Sequence, residues 1–256
     1  GDVKRATRNI DGVFHLASLS LPYCQKYPRS GLDVNIVGTF NLLEACVKNN
    51  VKRIVFTSSS SVYGNAVYSP MDEKHPLEYR DFYAATKLAG EALFRTFYFK
   101  YNLAYISLRF MNIYGPRLDY NGAYVAVIMK IIDRLEQGLS PIIYGDGSQS
   151  FDFVFVEDAC RSLILAMISS LTCNTYNISS GKQISILDLC KRIQKIMNKN
   201  IPIKFINKDK DQHLVKNRIG STKKAKDDLG FEVDVLLESG LKQVIDWKLS
   251  QSTQLK

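Results

Sequence analysis

No Cys-x-x-Cys pair occurs in this chain. Its five cysteines, Cys24, Cys46, Cys160, Cys173 and Cys190, are an odd number scattered through core-like stretches. They read as reduced thiols of a cytoplasmic protein, and no metal is expected. Long apolar runs are missing too: the longest candidate, Leu163 to Ile168, is far short of the ~20 residues that span a bilayer. Residues 1–10 lack the charged, apolar and small-residue succession of a secretory leader. Repeats, low-complexity tracts and long linkers are absent. Acidic residues are outnumbered, 25 against 34 basic ones, for a net charge of +9. Between Lys191 and Lys226 twelve Lys or Arg face only Asp209 and Asp211. Those cations alternate with Leu189, Ile193, Ile196 and Met197 at helical or strand spacing, with no recognition helix, zinc or aromatic-basic motif beside them. A solvated basic face is expected there, not a nucleic-acid site.

What remains is ordinary globular composition, 46% apolar and 23% charged, with length enough for a sizeable core. The first half alternates strand and helix signals. Strands are expected at Val13–Ala17, Lys52–Thr57 and Ala104–Phe110, and helices at Leu32–Val47 and Asp81–Tyr101. That rhythm predicts a parallel, doubly wound α/β sheet. After Pro116-Arg117 the expected elements are a helix over Ala123–Gln137 and strands near Pro141–Tyr144 and Asp152–Val156. A helix Ala159–Ser169 capped by Asp158, a strand Thr175–Ile178, a helix Ile186–Met197, a strand Ile201–Ile206 and a final helix Leu236–Leu249 complete the reading.

Within the Asp81–Tyr101 helix, Tyr83 and Lys87 lie four apart and share one face, about a turn from each other. A phenol with an ordinary pKa of ~10 is a poor base at neutral pH. A neighbouring ammonium favours the phenolate, and a shift of roughly 3 units corresponds to ~4 kcal/mol, attainable beside close cations in a dry cleft. Ser59 ends the apolar strand Arg53-Ile54-Val55-Phe56, where its hydroxyl can reach a substrate oxygen.

Five further segments accompany this pair in order: Gly1-Asp2-Val3, Val13-Phe14-His15-Leu16-Ala17, Asn35-Ile36-Val37-Gly38-Thr39, Leu108 to Arg117 (LRFMNIYGPR), and Gly145-Asp146-Gly147 followed by Asp152-Phe153-Val154. Together they resemble the extended short-chain dehydrogenase/reductases, in the branch of NAD-dependent nucleotide-sugar epimerases and dehydratases, over nearly the whole chain. The resemblance implies a Rossmann-like domain over residues 1–115 and a smaller, mainly substrate-binding lobe over 116–256, some of whose segments return to the first domain. Such a fold opens with a Gly-x-x-Gly-x-x-Gly turn whose amides cradle a pyrophosphate. No such triplet occurs here, so a first βαβ unit of roughly 50–70 residues is expected to precede Gly1.

By the same resemblance the catalytic set is Tyr83, Lys87 and Ser59. NAD is expected against Asp2, Leu16, Ala17, Asn35, Thr57, Tyr83, Lys87 and Phe110, and the substrate against Ser61, Asn112 and Arg218. Ser61 is equally well read as a loop cap; His15, within a buried strand, reads as a satisfied core residue and not as a ligand or base. Phe151 stands where the family often has a diphosphate-binding Arg, a role Arg218 could take up through its planar fork. Dehydratases carry an Asp-Glu pair, and decarboxylases a carboxylate, where this chain has Ser60 and Ser61. The expected reaction is therefore epimerisation of a nucleotide sugar, a UDP-hexose at carbon 4, through a transient 4-keto sugar. The alternatives are another activity of the family, a 4,6-dehydratase, decarboxylase or reductase, or a non-catalytic homologue that binds the same ligands. A homodimer is an expected assembly, and neither nucleic acid nor membrane an expected partner.

Overall fold

The computed structural model describes residues 1–118, 126–207 and 217–254. The helices are α1 (Asp2–Ala6), α2 (Leu21–Lys26), α3 (Pro28–Leu32), α4 (Gly38–Lys48), α5 (Phe82–Tyr101), α6 (Val127–Glu136), α7 (Val156–Ile168), α8 (Ile186–Ile196), α9 (Lys223–Leu229) and α10 (Leu237–Gln254). The strands are β1 (Gly12–His15), β2 (Arg53–Ser59), β3 (Ala104–Phe110), β4 (Asn112–Tyr114), β5 (Ile142–Tyr144), β6 (Ser150–Phe155), β7 (Asn174–Ile178), β8 (Gln183–Ser185), β9 (Lys204–Ile206) and β10 (Asn217–Arg218). A parallel sheet runs in the order β1-β2-β3-β7. Its centre is made by β2 and β3, whose middle residues (Ile54 to Phe56, Tyr105 to Arg109) are buried, as expected when both faces are covered. Ile54 and Phe56 pack with Leu43 of α4 and with Phe94 and Phe97 of α5. Val55, pointing the other way, shares a cluster with Ala166 of α7. The two-residue period of β2 thus supplies two cores at once, and the expected doubly wound Rossmann-like sheet is present.

A second sheet, in the order β10-β6-β4 with β8 antiparallel to β6, stands beside a third hydrophobic cluster. That cluster joins Ile128, Ile131, Ile132 and Leu135 of α6 to Leu189 and Ile193 of α8 and Leu241, Val244 and Ile245 of α10. The apolar residues of α6 and α8 recur at the helical spacing that buries one stripe.

Several boundaries differ from the sequence expectation. The single helix expected over Leu32–Val47 is α3, a π-helical turn at Asp33–Val37, and α4. The turn buries Asn35, whose side chain reaches the Leu19 backbone and Thr86. Asp158 does not cap α7. The helix starts at Val156, and the buried Asp158 carboxylate accepts from the Asp234 and Val235 amides (both 3.1 Å) and from Arg161 (2.6 Å). The strand expected over Ile201–Ile206 begins only at Lys204, because the Ile201 amide is taken by the Gln194 side chain (2.9 Å) and Pro202 has no amide to give. Residues 123–125 of the expected Ala123–Gln137 helix lie outside the described residues; α6 begins at Val127. Of the basic stretch, Arg192, Lys223 and Lys226 make surface pairs with Glu238, Asp227 and Glu232, while residues 208–216 lie outside the described residues.

Helix α5 is held in place at both ends and in the middle. Asp81 accepts from the Ala84 amide at 2.7 Å, capping its first turn, and Asn102 (φ 55°) closes its last by donating to the Tyr98 carbonyl at 2.8 Å. In between, Gly90 lies against the buried Phe56 ring: a Cβ there would stand 2.6 Å from Phe56 Cζ. Gly90→Ala should therefore destabilise the protein by about 1–2 kcal/mol, as overpacking outweighs the ~1 kcal/mol of helix propensity gained. Urea denaturation checks this, and a stabilised variant would show that Phe56 can yield.

Candidate active site

The carboxyl ends of β1, β2 and β3 open onto a cavity of about 350 Å³, lined by Leu16, Ser18, Ser20, Thr57, Ser58, Ser59, Tyr83, Lys87, Phe110, Met111 and Ile113. Ligands of open α/β sheets bind at such strand ends. The in-register pairs Thr57–Leu108 and Ser59–Phe110 set β2 level with β3, and the Thr57 hydroxyl donates to the His15 carbonyl at 3.0 Å, setting it against β1. Across the cavity α5 presents Tyr83 and Lys87.

Lys87 is 4% exposed and donates from Nζ to the Thr57 carbonyl at 2.7 Å. Its ammonium lies over the rings of Phe56 (5.2 Å) and Tyr83 (5.6 Å). Among the described residues it makes no ion pair. Burial, with no carboxylate to offset it, brings its pKa down to about 8. His15 is also buried, and its pKa is lowered to about 4, first by burial and then by the Lys87 charge. It packs on Phe56 and its Nε2 lies 2.8 Å from Thr39 Oγ1. That hydroxyl is also placed to donate to the Asn35 carbonyl at 2.7 Å, so Nε2 carries the proton and His15 is a neutral donor. Ser59 Oγ accepts from the Ser61 amide at 3.1 Å, which leaves its own hydrogen for a partner in the cavity.

Of the residues singled out by sequence, Leu16, Thr57, Ser59, Tyr83, Lys87 and Phe110 meet at this cavity. The others do not line it. Asp2 is exposed at the start of α1 and pairs with Arg5. Ala17 is exposed. Asn35 is buried, its amide given to Leu19, Thr86 and Cys24. Ser61 is buried in the 3₁₀ turn Ser60–Tyr63, its amide the donor to Ser59. Asn112 and Arg218 sit on β4 and β10, the two strands that flank β6; Asn112 donates to the Asp152 carbonyl at 3.0 Å, and Arg218 is in register with Phe151. Sequence reasoning missed Ser18, Ser20, Ser58, Met111 and Ile113. Ser58 was findable, since it adjoins Ser59; the rest reach the cavity through tertiary placement.

The residues of the cavity suit the nicotinamide-ribose end of NAD. A buried ammonium and a phenol on one wall suit ribose hydroxyls, and Leu16, Phe110, Met111 and Ile113 give a flat heterocycle an apolar surface. Lys87 burial also has a thermodynamic signature. Below about pH 8 both folded and unfolded chains carry the charge and the burial cost is complete; between about 8 and 10.5 only the unfolded chain does, so stability rises with pH in that window. Lys87→Met in the ligand-free protein should thus be more stable at pH 7 by up to about 3 kcal/mol. The gain should shrink toward pH 10.5. Denaturant titrations across this range test it, and a destabilised Lys87→Met at pH 7 would refute it.

Comparison with known proteins agrees with this geometry. Residues 1–179 match the model of the NAD dependent epimerase/dehydratase family. A UDP-N-acetyl-alpha-D-glucosaminuronate decarboxylase of Bacillus cytotoxicus is 31% identical over 93% of this chain and 76% of its own length. A UDP-glucuronate 4-epimerase of Thermodesulfobacterium geofontis is 30% identical over 94% of this chain and 73% of its own. In structure, the UDP-N-acetylglucosamine 4-epimerase of Methanobrevibacter ruminantium, solved with UDP-N-acetylmuramic acid, superposes with a TM-score of 0.93 at 33% identity, covering 98% of this chain and 80% of that one. No helix among the described residues is long and apolar enough to cross a membrane. With its strand-end cavity, its Tyr83–Lys87 face and a family match over most of its length, the chain belongs to the NAD-dependent epimerase/dehydratase family.

Proposed function

We propose that this protein epimerises a nucleotide sugar, a UDP-hexose, at carbon 4 through a transient 4-keto sugar. The observation that carries the proposal is the chemistry of the cavity lining: its titratable side chains are Tyr83 and Lys87, with no carboxylate among the described residues. Epimerisation needs one group to take and return a hydroxyl proton. Dehydration needs an acid for the departing hydroxyl and a base at the adjacent carbon. The serines Ser60 and Ser61, where dehydratases carry Asp and Glu, cannot exchange protons near neutrality and are buried in a turn.

In this reading the Tyr83 phenolate removes the 4-hydroxyl proton, favoured by the Lys87 ammonium beside its ring. Ser59, its oxygen occupied by the Ser61 amide, donates to the sugar oxygen and follows it as the hydroxyl becomes a carbonyl. NAD, when bound, supplies the acceptor for the carbon-4 hydride and its return to the opposite face. Lys87, which donates to the Thr57 carbonyl, would hold the ribose hydroxyls of the cofactor and so fix that side of the cavity. Asn112 and Arg218 hold the nucleotide end, with Arg218 beside Phe151 taking the place of the Arg that the family often has there. The five cysteines, all free, accord with a cytoplasmic setting.

Incubation with UDP-hexoses should interconvert the 4-epimers with no net NADH. Tyr83→Phe should keep NAD binding and lose at least ~100-fold in turnover, the lower end for acid–base catalysis. Sugar-product NMR and a coupled assay check both. A 6-deoxy product or loss of carbon dioxide would replace the epimerase reading, and near-wild-type turnover of Tyr83→Phe would remove Tyr83 from it.

A further inference from the structure

One turn beyond Lys87 on the same face of α5, Glu91 carries a buried carboxylate. A lysine and a glutamate four apart on a helix are natural ion-pair partners. Here they are not paired. Arg109 of β3 takes both Glu91 oxygens, Nε to Oε1 at 2.9 Å and NH2 to Oε2 at 2.7 Å. Its remaining arm donates to the Tyr63 hydroxyl at 2.9 Å, which itself donates to Asn177 Oδ1 at 2.7 Å. Ser58 of the cavity wall also donates to Glu91. Both side chains of the pair are less than a tenth exposed, so neither charge is screened by water. The fork geometry is one a lysine cannot reproduce.

Resting on the proposed role of Tyr83, we infer that Arg109 is a positioning residue for this reaction: by engaging both Glu91 oxygens it keeps that carboxylate from the Lys87 ammonium, and so leaves the charge of Lys87 to act on Tyr83. A carboxylate bound to Lys87 would cancel the field that favours the phenolate and draw Nζ away from the Thr57 carbonyl. The other groups around the ammonium offer no such competitor. His15 from β1 is neutral near pH 7, and Cys24 from α2 is a buried thiol whose pKa is raised by burial. Among the described residues α5 adds Tyr83 and Glu91, with Asp81 at its start engaged by the Ala84 amide at 2.7 Å, and β3 adds Arg109. Arg109 itself stays charged: burial opposes its charge, but the Glu91 hydrogen bonds and charge outweigh that and raise its pKa.

The test is an ultraviolet difference titration of Tyr83, each variant read against the same variant carrying Tyr83→Phe, with NAD and without sugar. Arg109→Met, which frees Glu91 to turn to Lys87, should raise the Tyr83 midpoint by about 1 unit or more. Arg109→Met with Glu91→Leu, which removes the carboxylate as well, should bring the midpoint back toward that of the wild type. In turnover, Arg109→Met should lower kcat near neutrality with little change in KM, and recover rate as the pH is raised through the new midpoint. A defect that merely loosened the fold would not be rescued by alkali. Should Arg109→Met fail to fold with its unpaired buried charge, Arg109→Lys, which engages one oxygen instead of two, should show a smaller rise. A wild-type midpoint in whichever of these single variants folds overturns the inference, as does a rise that persists undiminished in the double variant. The titration contains no sugar, so it stands apart from the epimerase reading: a wild type that makes no 4-epimer counts against that reading, not against Arg109.

Discussion

The buried Lys87 ammonium donates to the Thr57 carbonyl, and the hydrogen bond joins helix α5 to the end of strand β2. Around it stand aromatic rings and a neutral histidine, but among the described residues no carboxylate partner. A buried cation in such a setting costs stability, as its lowered pKa of about 8 records. The rest of the fold offsets that cost. Phe56 packs against Gly90 so that α5 can come close enough for the bond to form. Thr57 is itself tied to β1, and Asn35 in its π-helical turn clasps the Leu19 backbone to Thr86, one residue before Lys87. A π-helical turn with a buried polar clasp is where this helix departs from the regular pattern, as folds serving chemistry do.

Buried carboxylates elsewhere are treated in the opposite way. Asp152 accepts from the Ser179 and Ser180 hydroxyls (2.5 and 2.7 Å) and from the Ser180 and Gly181 amides (2.7 and 3.0 Å). Burial still raises its pKa despite those donors. It staples β6 to the loop after β7, as Asp158 staples α7 to the segment before α10. Glu91 is satisfied by Arg109. Among the described residues, then, these three buried acids each have several donors while Lys87 is left without an acid, an unequal division of hydrogen-bonding capacity that suits a single phenol acting as acid and base.

Much of the fold was legible in the sequence because β2, β3 and α5 obey local rules without conflict: seven-residue strands with an apolar centre, a side-chain cap at Asp81, a left-handed close at Asn102. Of the six cavity residues named in advance, Tyr83 and Lys87 follow from helix spacing and Ser59 from its place at a strand end, while Leu16, Thr57 and Phe110 were implied by the family resemblance. What was not legible depends on distant partners. The π turn exists because Asn35 finds Leu19 and Thr86, and the late start of β9 follows from a Gln194 side chain seven residues before Ile201. Asp158 has the look of a helix cap in sequence, yet bonds to amides 76 and 77 residues away. The separation of Glu91 from Lys87, so close on the helix, is decided by an arginine on another strand.

The central claim is that one phenol exchanges a hydroxyl proton while every carbon-bound hydrogen of the sugar moves only as hydride. Turnover of a UDP-hexose in deuterium oxide, followed by NMR, tests this most directly. The account predicts that the 4-epimer forms with no deuterium at any ring carbon, because the hydride lost from carbon 4 returns to it. Deuterium at carbon 4 or carbon 5 would contradict it, since either requires a carbon-bound proton to have been removed, whereas in this account the one base of the cavity lining among the described residues, Tyr83, exchanges only the hydroxyl proton.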